Sequence, residues 1–208
     1  MRLFLFILTT FFLPLSIQAE VIAFGTWGKY GDNVTWVLED DTLTFSGSGA
    51  MQDCNPLLSF ADIPWHDYSD RIAEVRISYG ITTIGAGMCH GCEKLQKIDI
   101  PNSVIEIGNS AFSNCTSFTA VDIPNSVTNI GSSAFSKCLQ LKSVVIPGGV
   151  ISIGYSAFAQ CKKLSSVQLP NGLTEIAPST FSGCEELTSI TIPEGVTKIG
   201  VFAFSGCI

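Results

Sequence analysis

Cys89-His90-Gly91-Cys92 is the stretch whose residue types and spacing come nearest to covalent chemistry. Two thiols three positions apart, with an imidazole between them, could exchange disulfides, because a neighbouring imidazolium lowers a thiol pKa and supplies the thiolate nucleophile. The surroundings argue against it. No βαβ pattern frames the motif, as it does in thioredoxin-like redox sites. Cys92 also opens a series that continues through Cys115, Cys138, Cys161, Cys184 and Cys207, each 23 residues beyond the last. Metal ligands must converge on a point, whereas a regular series makes a line, and buried free cysteine behaves as a small hydrophobe. His66, Asp67 and Asp70 form a second cluster with acid–base potential. No serine or cysteine nucleophile is placed beside them by motif, so a solvated cap segment accounts for them. The expectation is no catalytic residue, no metal and no cofactor. A thiol oxidoreductase working through Cys89 and Cys92 is the least favoured alternative.

The elements that would position these residues come from a 23-residue unit, complete at Ile98–Ala120 as IDIPNSVIEIGNSAFSNCTSFTA. It returns as Val121–Ser143, Val144–Ser166 and Val167–Ser189, with a looser copy at Val75–Lys97 and a truncated one at Ile190–Ile208. A fixed period of this length means a stacked solenoid, in which each coil borrows its neighbours to bury its apolar face. Counting Ile98 as position 1, apolar residues recur at positions 1, 3, 7, 10, 15 and 21, and position 18 is always cysteine. Positions 1 and 3 alternate with a polar residue, which is strand periodicity. The proline at position 4 lacks an N–H for a ladder and ends each strand. Position 11 is Gly85, Gly108, Gly131, Gly154 and Gly200, with Ala177 the exception. Glycine there predicts a corner that the backbone turns cheaply. The Ser-Ala-Phe-Ser segment that follows suits a short helical turn, with phenylalanine plugging the interior. One coil cannot offset the entropy of ordering its own backbone, so the strands should stack into one long parallel sheet.

Met1–Ala19 carries Arg2, an apolar run and a small residue before Glu20, the pattern of a secretory signal peptide. The run is interrupted by Thr9, Thr10, Pro14 and Ser16 and falls short of the ~20 apolar residues that span a bilayer. The mature chain is therefore expected to be secreted or extracellular, with no membrane span. Removing the leader takes the formal charge from −7 to −8, which repels phosphate backbones and excludes nucleic acid as a partner. Residues 20–74 are expected to form a β-rich cap. Val34–Glu39 and Thr42–Ser46 alternate around Asp40-Asp41 as a hairpin, and Pro64-Trp65 opens a short helix through Arg71. All three tryptophans, Trp27, Trp36 and Trp65, fall in this region. Core packing of the cap accounts for them, and aromatic platforms for a glycan are the alternative. Six of the eight cysteines lie on the ladder. The remaining two, Cys54 and Cys89, could form a cap-to-repeat disulfide in an exported protein.

Written from position 21, Leu95-x-x-Ile98-x-Ile100 and Leu141-x-x-Val144-x-Ile146 match the strand signature of leucine-rich repeats. The I-P-x-x-V-x-x-I-G-x-x-A-F-x-x-C pattern over Val75–Ile208, five full copies and a truncated sixth, resembles the BspA-like leucine-rich repeat family. Gly25–Met51 is similar to the segment that often precedes such repeats. The resemblance implies a repeat solenoid with a parallel sheet on its concave face. It also implies a secreted or cell-surface protein that binds other macromolecules, an adhesin without catalysis, whose partner is a host or neighbouring-cell surface or matrix protein. On that face the side chains between the apolar strand positions would include Lys97, Asp99, Thr119, Asp122, Lys142, Val145, Ser166, Gln168, Ser189 and Thr191. Ile208 stops at position 19 without a polar closing segment, so the end is expected either to continue or to associate with a second chain.

Overall fold

The computed structural model describes residues 19–54 and 63–208; the expected leader lies outside them apart from Ala19. Strands β1 (Val21–Gly28), β2 (Gly31–Glu39) and β3 (Thr42–Gly47) form an antiparallel meander, followed by the short β4 (Gly49–Ala50). The hairpin expected around Asp40-Asp41 is β2–β3, with Trp36 opposite Phe45 and Leu38 opposite Leu43. β1 lacks clean alternation and was not legible as a strand. The expected helix after Pro64 is a single 3-10 turn, His66–Tyr68, since only i→i+3 bonds close it.

The solenoid strands are β5 (Glu74–Ile77), β6 (Ile81–Ile84), β7 (Lys97–Asp99), β8 (Glu106–Ile107), β9 (Asn129–Ile130), β10 (Ser143–Val145), β11 (Ser152–Ile153), β12 (Ser166–Gln168), β13 (Glu175–Ile176) and β14 (Lys198–Ile199). They build two walls rather than one long sheet. The first runs β1-β2-β3-β5-β7, then is interrupted and resumes as β10-β12. The second runs β4-β6-β8-β9-β11, with β13-β14 separate. The second extended piece of every coil therefore makes its own parallel ladder, with Ile84, Ile107, Ile130 and Ile153 in register.

The cap is fused to both walls. β3 pairs in parallel with β5, and β4 with β6. The Cys54 N–H donates to Ala86 O as the Gly87 N–H donates to Asn109 O one coil later. Residues 42–54 thus act as a degenerate coil whose sequence no longer shows the period.

The Ser-Ala-Phe-Ser segments form a third wall. Ala111, Ser113 and Cys115 close i→i+3 turns, while the alternate N–H groups of Ser110, Phe112 and Asn114 donate to Ser132, Ala134 and Ser136 of the next coil, each at 2.8 Å. Alternation is possible because positions 13 and 17 are left-handed, for example Ser110 (φ 54), Asn114 (φ 64) and Lys137 (φ 60). The expected helical turn is therefore a chain of turns that also ladders between coils.

Position 11 departs from the sequence reading in a useful way. Gly108, Gly131, Gly154 and Gly200 lie outside the left-handed region. Glycine is required there by close approach. A Cβ on Gly131 would lie 2.6 Å from both Asn109 N and Gly108 C of the preceding coil, and one on Gly108 would lie 2.6 Å from Ala86 N.

The interior is one apolar column. Phe112, Phe135, Phe158, Phe181 and Phe204 stack at centroid spacings of 5.3, 5.3, 5.7 and 5.6 Å. Cys89 holds the phenylalanine position of the first coil, and beside it the Trp65 indole N–H donates to Met88 O at 2.8 Å. Trp65 in turn meets Trp27, Trp36 and Phe45 edge-on at 5.0–5.3 Å.

Candidate functional site: an exposed sheet face over inert thiols

The cysteine ladder is buried from Cys92 to Cys184, and from Cys115 onward each thiol donates to a carbonyl of the preceding coil. The S–H of Cys115 donates to Cys89 O at 3.2 Å, Cys138 to Phe112 O at 3.3 Å, Cys161 to Phe135 O at 3.1 Å and Cys184 to Phe158 O at 3.2 Å. Position 18 thus requires a small side chain that is apolar enough for the core yet carries one donor for the preceding coil. Burial is the main cause of the raised thiol pKa values, which reach about 12 for Cys138 and Cys184. Cys89 is also buried, and burial pushes its thiol well above the ordinary value. Burial first, and His66 second, lower the pKa of His90. The Cys89–Cys92 motif therefore has neither an exposed thiolate nor a neighbouring imidazolium at neutral pH, and the redox reading loses its chemical basis.

The tryptophan platforms fail for the same reason. Trp27, Trp36 and Trp65 are only 7%, 4% and 1% exposed, so they plug the cap and offer no ring to a glycan. Cys54 and Cys89 are buried, and no disulfide is formed among the described residues; their pairing stands as a proposal. No cluster of three or more metal-ligating side chains occurs among the described residues, and no helix there is long and apolar enough to cross a membrane.

The ten face residues are all exposed: Lys97, Asp99, Thr119, Asp122, Lys142, Val145, Ser166, Gln168, Ser189 and Thr191. Strand register orders part of the set: Lys97 lies beside Glu74 and Asp99 beside Arg76, and Ser143 lies beside Ser166 and Val145 beside Gln168, with the intervening Val144 turned inward. At the cap end the face is charged. Lys97 Nζ sits 3.0 Å from carboxylate oxygens of both Glu74 and Asp99, and Arg76 pairs with Glu74 at 3.0 Å. Hydrogen bonds from Lys97 and then Arg76 hold the Glu74 carboxyl below its ordinary pKa. The ladder is interrupted between Asp99 and Asp122, like charges on successive coils that disfavour close pairing. Beyond them Lys142 is the one charged member of the set, and the face otherwise turns to Ser, Thr, Gln and Val145. The charged end depends on Glu74 and Arg76 at the cap junction, which lie outside the set expected from the repeat.

A coil of strand, corner, second strand and turn at a fixed period, with an exposed first-wall face, defines a leucine-rich-repeat solenoid. The chain belongs to the BspA-type leucine-rich repeat family, whose repeat region matches residues 82–208 in six copies. Among solved structures it is similar to a leucine-rich repeat protein of T. pallidum, at 30% identity and a TM-score of 0.66, covering 85% of this chain and 87% of that one. It is also similar to a leucine-rich repeat protein of Bacteroides ovatus, at 29% identity and a TM-score of 0.66, covering 84% of this chain and 49% of that one. Among curated protein sequences none matches.

Proposed function

We propose that this is an exported, non-catalytic binding protein that adheres through its first-wall face to a surface or matrix protein of a host or a neighbouring cell. The observation that carries the reading is the contrast in exposure. Ten exposed side chains, nine polar and Val145, are displayed at coil-to-coil spacing on one wall, while the ladder thiols from Cys92 to Cys184 and Cys89 are enclosed. A ladder-braced wall loses little entropy on binding, which favours broad contact with another macromolecule. The charged Glu74–Arg76–Lys97–Asp99 end would set orientation, and the end around Val145, where Lys142 is the only charged face residue, would supply contact area.

The test is interferometry of the mature chain against a panel of purified extracellular-matrix proteins, repeated with the Lys97→Glu/Lys142→Glu/Val145→Asp variant. The reading requires at least one partner bound by the parent and lost with the triple variant. Binding that is indifferent to these three changes refutes the face. An insulin-reduction assay gives the second arm: turnover that disappears in Cys89→Ser would refute the non-catalytic reading.

A further inference from the structure

The second wall is broken at one junction. At the other four junctions between 23-residue repeats, two backbone bonds clip each coil to the one before. Position 8 donates to position 8 (Ile105 to Thr82, Thr128 to Ile105, Ile151 to Thr128, Thr197 to Thr174), at 2.8–2.9 Å. Position 11 donates to position 10 (Gly108 to Ile84, Gly131 to Ile107, Gly154 to Ile130, Gly200 to Ile176), each at 2.8 Å. Between coils 144–166 and 167–189 both bonds are missing among the described residues: Thr174 N–H does not reach Ile151 O, and Ala177 N–H does not reach Ile153 O. β13 accordingly pairs with β14 and not with β11.

The sequence supplies the cause. Position 11 has no room for a methyl group at an intact junction, because a Cβ there would meet the preceding backbone at 2.6 Å at Gly108 and Gly131, where 3.4–4 Å is ordinary contact. Ala177 carries that methyl, so its coil must stand off from Gly154 and Tyr155. Pro178, next in the chain, lacks the N–H that at Ser132 donates to Asn109 Oδ1 at 2.7 Å. The turn wall behind stays closed, with Phe158 N–H donating to Thr180 O at 2.9 Å. The coils therefore part on one side only and leave a cleft of about 330 Å3 lined by Ser132, Ser152, Tyr155, Thr174 and Glu175, with the unclipped Ile151 and Ile153 at its edge.

We infer that this cleft binds a saccharide unit. A sugar ring has an apolar C–H face and a rim of hydroxyls that both donate and accept, and the cleft has counterparts for each. Tyr155, 62% exposed, offers an aromatic face with a polar tip. Ser132, Ser152 and Thr174 offer hydroxyls, Glu175 offers a carboxylate fixed by Lys198 at 2.7 Å, and the parted coils offer two carbonyls and two N–H groups that seek partners. Other ligands fit worse. An inserted peptide strand needs coils about 9.6 Å apart, two strand spacings, which the closed turn wall forbids. A phosphate would face Glu175 and a chain of net charge −7. The site is separate from the first-wall face and does not depend on the reading of that face.

A glycan array probed with the mature chain tests the inference, with Tyr155→Ala, Ala177→Gly and, at an exposed tyrosine of the cap, Tyr30→Ala as variants. At least one arrayed glycan should bind. Its affinity should fall about tenfold or more in Tyr155→Ala, which removes an exposed ring without touching the core, vanish in Ala177→Gly, and persist in Tyr30→Ala. Ala177→Gly should also slow amide exchange at Thr174 as the ladder closes. No glycan above background, or a bound glycan unaffected by Tyr155→Ala and Ala177→Gly, overturns the saccharide site. Unchanged exchange at Thr174 in a folded Ala177→Gly protein overturns the methyl wedge as its cause. If Ala177→Gly does not fold, Tyr155→Ala alone decides.

Discussion

Replacing Gly131 by alanine adds one methyl group to a solvent-near corner, yet it should behave like a core defect. The added Cβ would lie 2.6 Å from Asn109 N and from Gly108 C, and 2.8 Å from Asn109 Oδ1. To reach ordinary contact the coils must separate by about 1 Å, which strains or breaks the 2.8 Å bond from Gly131 N–H to Ile107 O. Overpacking of this kind costs about 1–3 kcal/mol, and the lost bond adds roughly 0.5–1.5 kcal/mol. Alanine recovers about 0.4–1 kcal/mol by restricting the unfolded chain. The net expectation is about 2 kcal/mol of destabilisation, read as a lower urea midpoint by circular dichroism. Had glycine been selected only for turn propensity, a position outside the left-handed region would accept alanine without loss. A Gly131→Ala protein as stable as the parent, or more so, would refute the close-approach argument and the wedge at Ala177 with it.

Stability should also fall in alkali. The folded pKa of Cys138 and Cys184 is raised to about 12 from an ordinary 9.0, so the unfolded chain releases those protons first. Their contribution is complete below about pH 9 and is lost as pH rises towards 12, with Cys138 alone worth about 2 kcal/mol at pH 10.5; urea midpoints between pH 7 and pH 10.5 should show the decline and Cys138→Ala should flatten it. Phe158→Ala, at the centre of the stacked column, should cost about 3–5 kcal/mol, while Val145→Ala on the exposed face should change the midpoint little. Alkylation under denaturing conditions followed by mass spectrometry tests the Cys54–Cys89 disulfide: recovery of both as alkylated thiols from secreted protein removes the proposal, and a linked peptide pair establishes it.

The interior of the coil was legible because burial leaves a periodic trace. Phe135, Ile130 and Cys138 recur at a constant interval, and their inward direction follows from strand and turn geometry. The exposed face followed from the same alternation. What stayed hidden was backbone-to-backbone physics, which leaves little mark on residue type. The third wall depends on left-handed φ at Ser110, Asn114, Lys137 and Gln160, of which only Asn114 is a residue commonly found there. The true role of Gly131 is a distance to another coil, and no local pattern encodes that distance. The degenerate coil at 42–54 kept its pairing after its period had gone. Ala177 was visible as an exception, but its consequence needs the spacing between coils.

The most direct measurement of the central claim, a sealed apolar column behind a displayed face, is maleimide labelling of the folded chain in separate Asp122→Cys and Lys142→Cys variants, with native Cys138 as internal reference. The engineered thiols should label at the rate of a free peptide while Cys138 stays unmodified until the protein is unfolded. Rapid labelling of Cys138 in the folded state, with protection at positions 122 and 142, would contradict the coil register and everything placed on it.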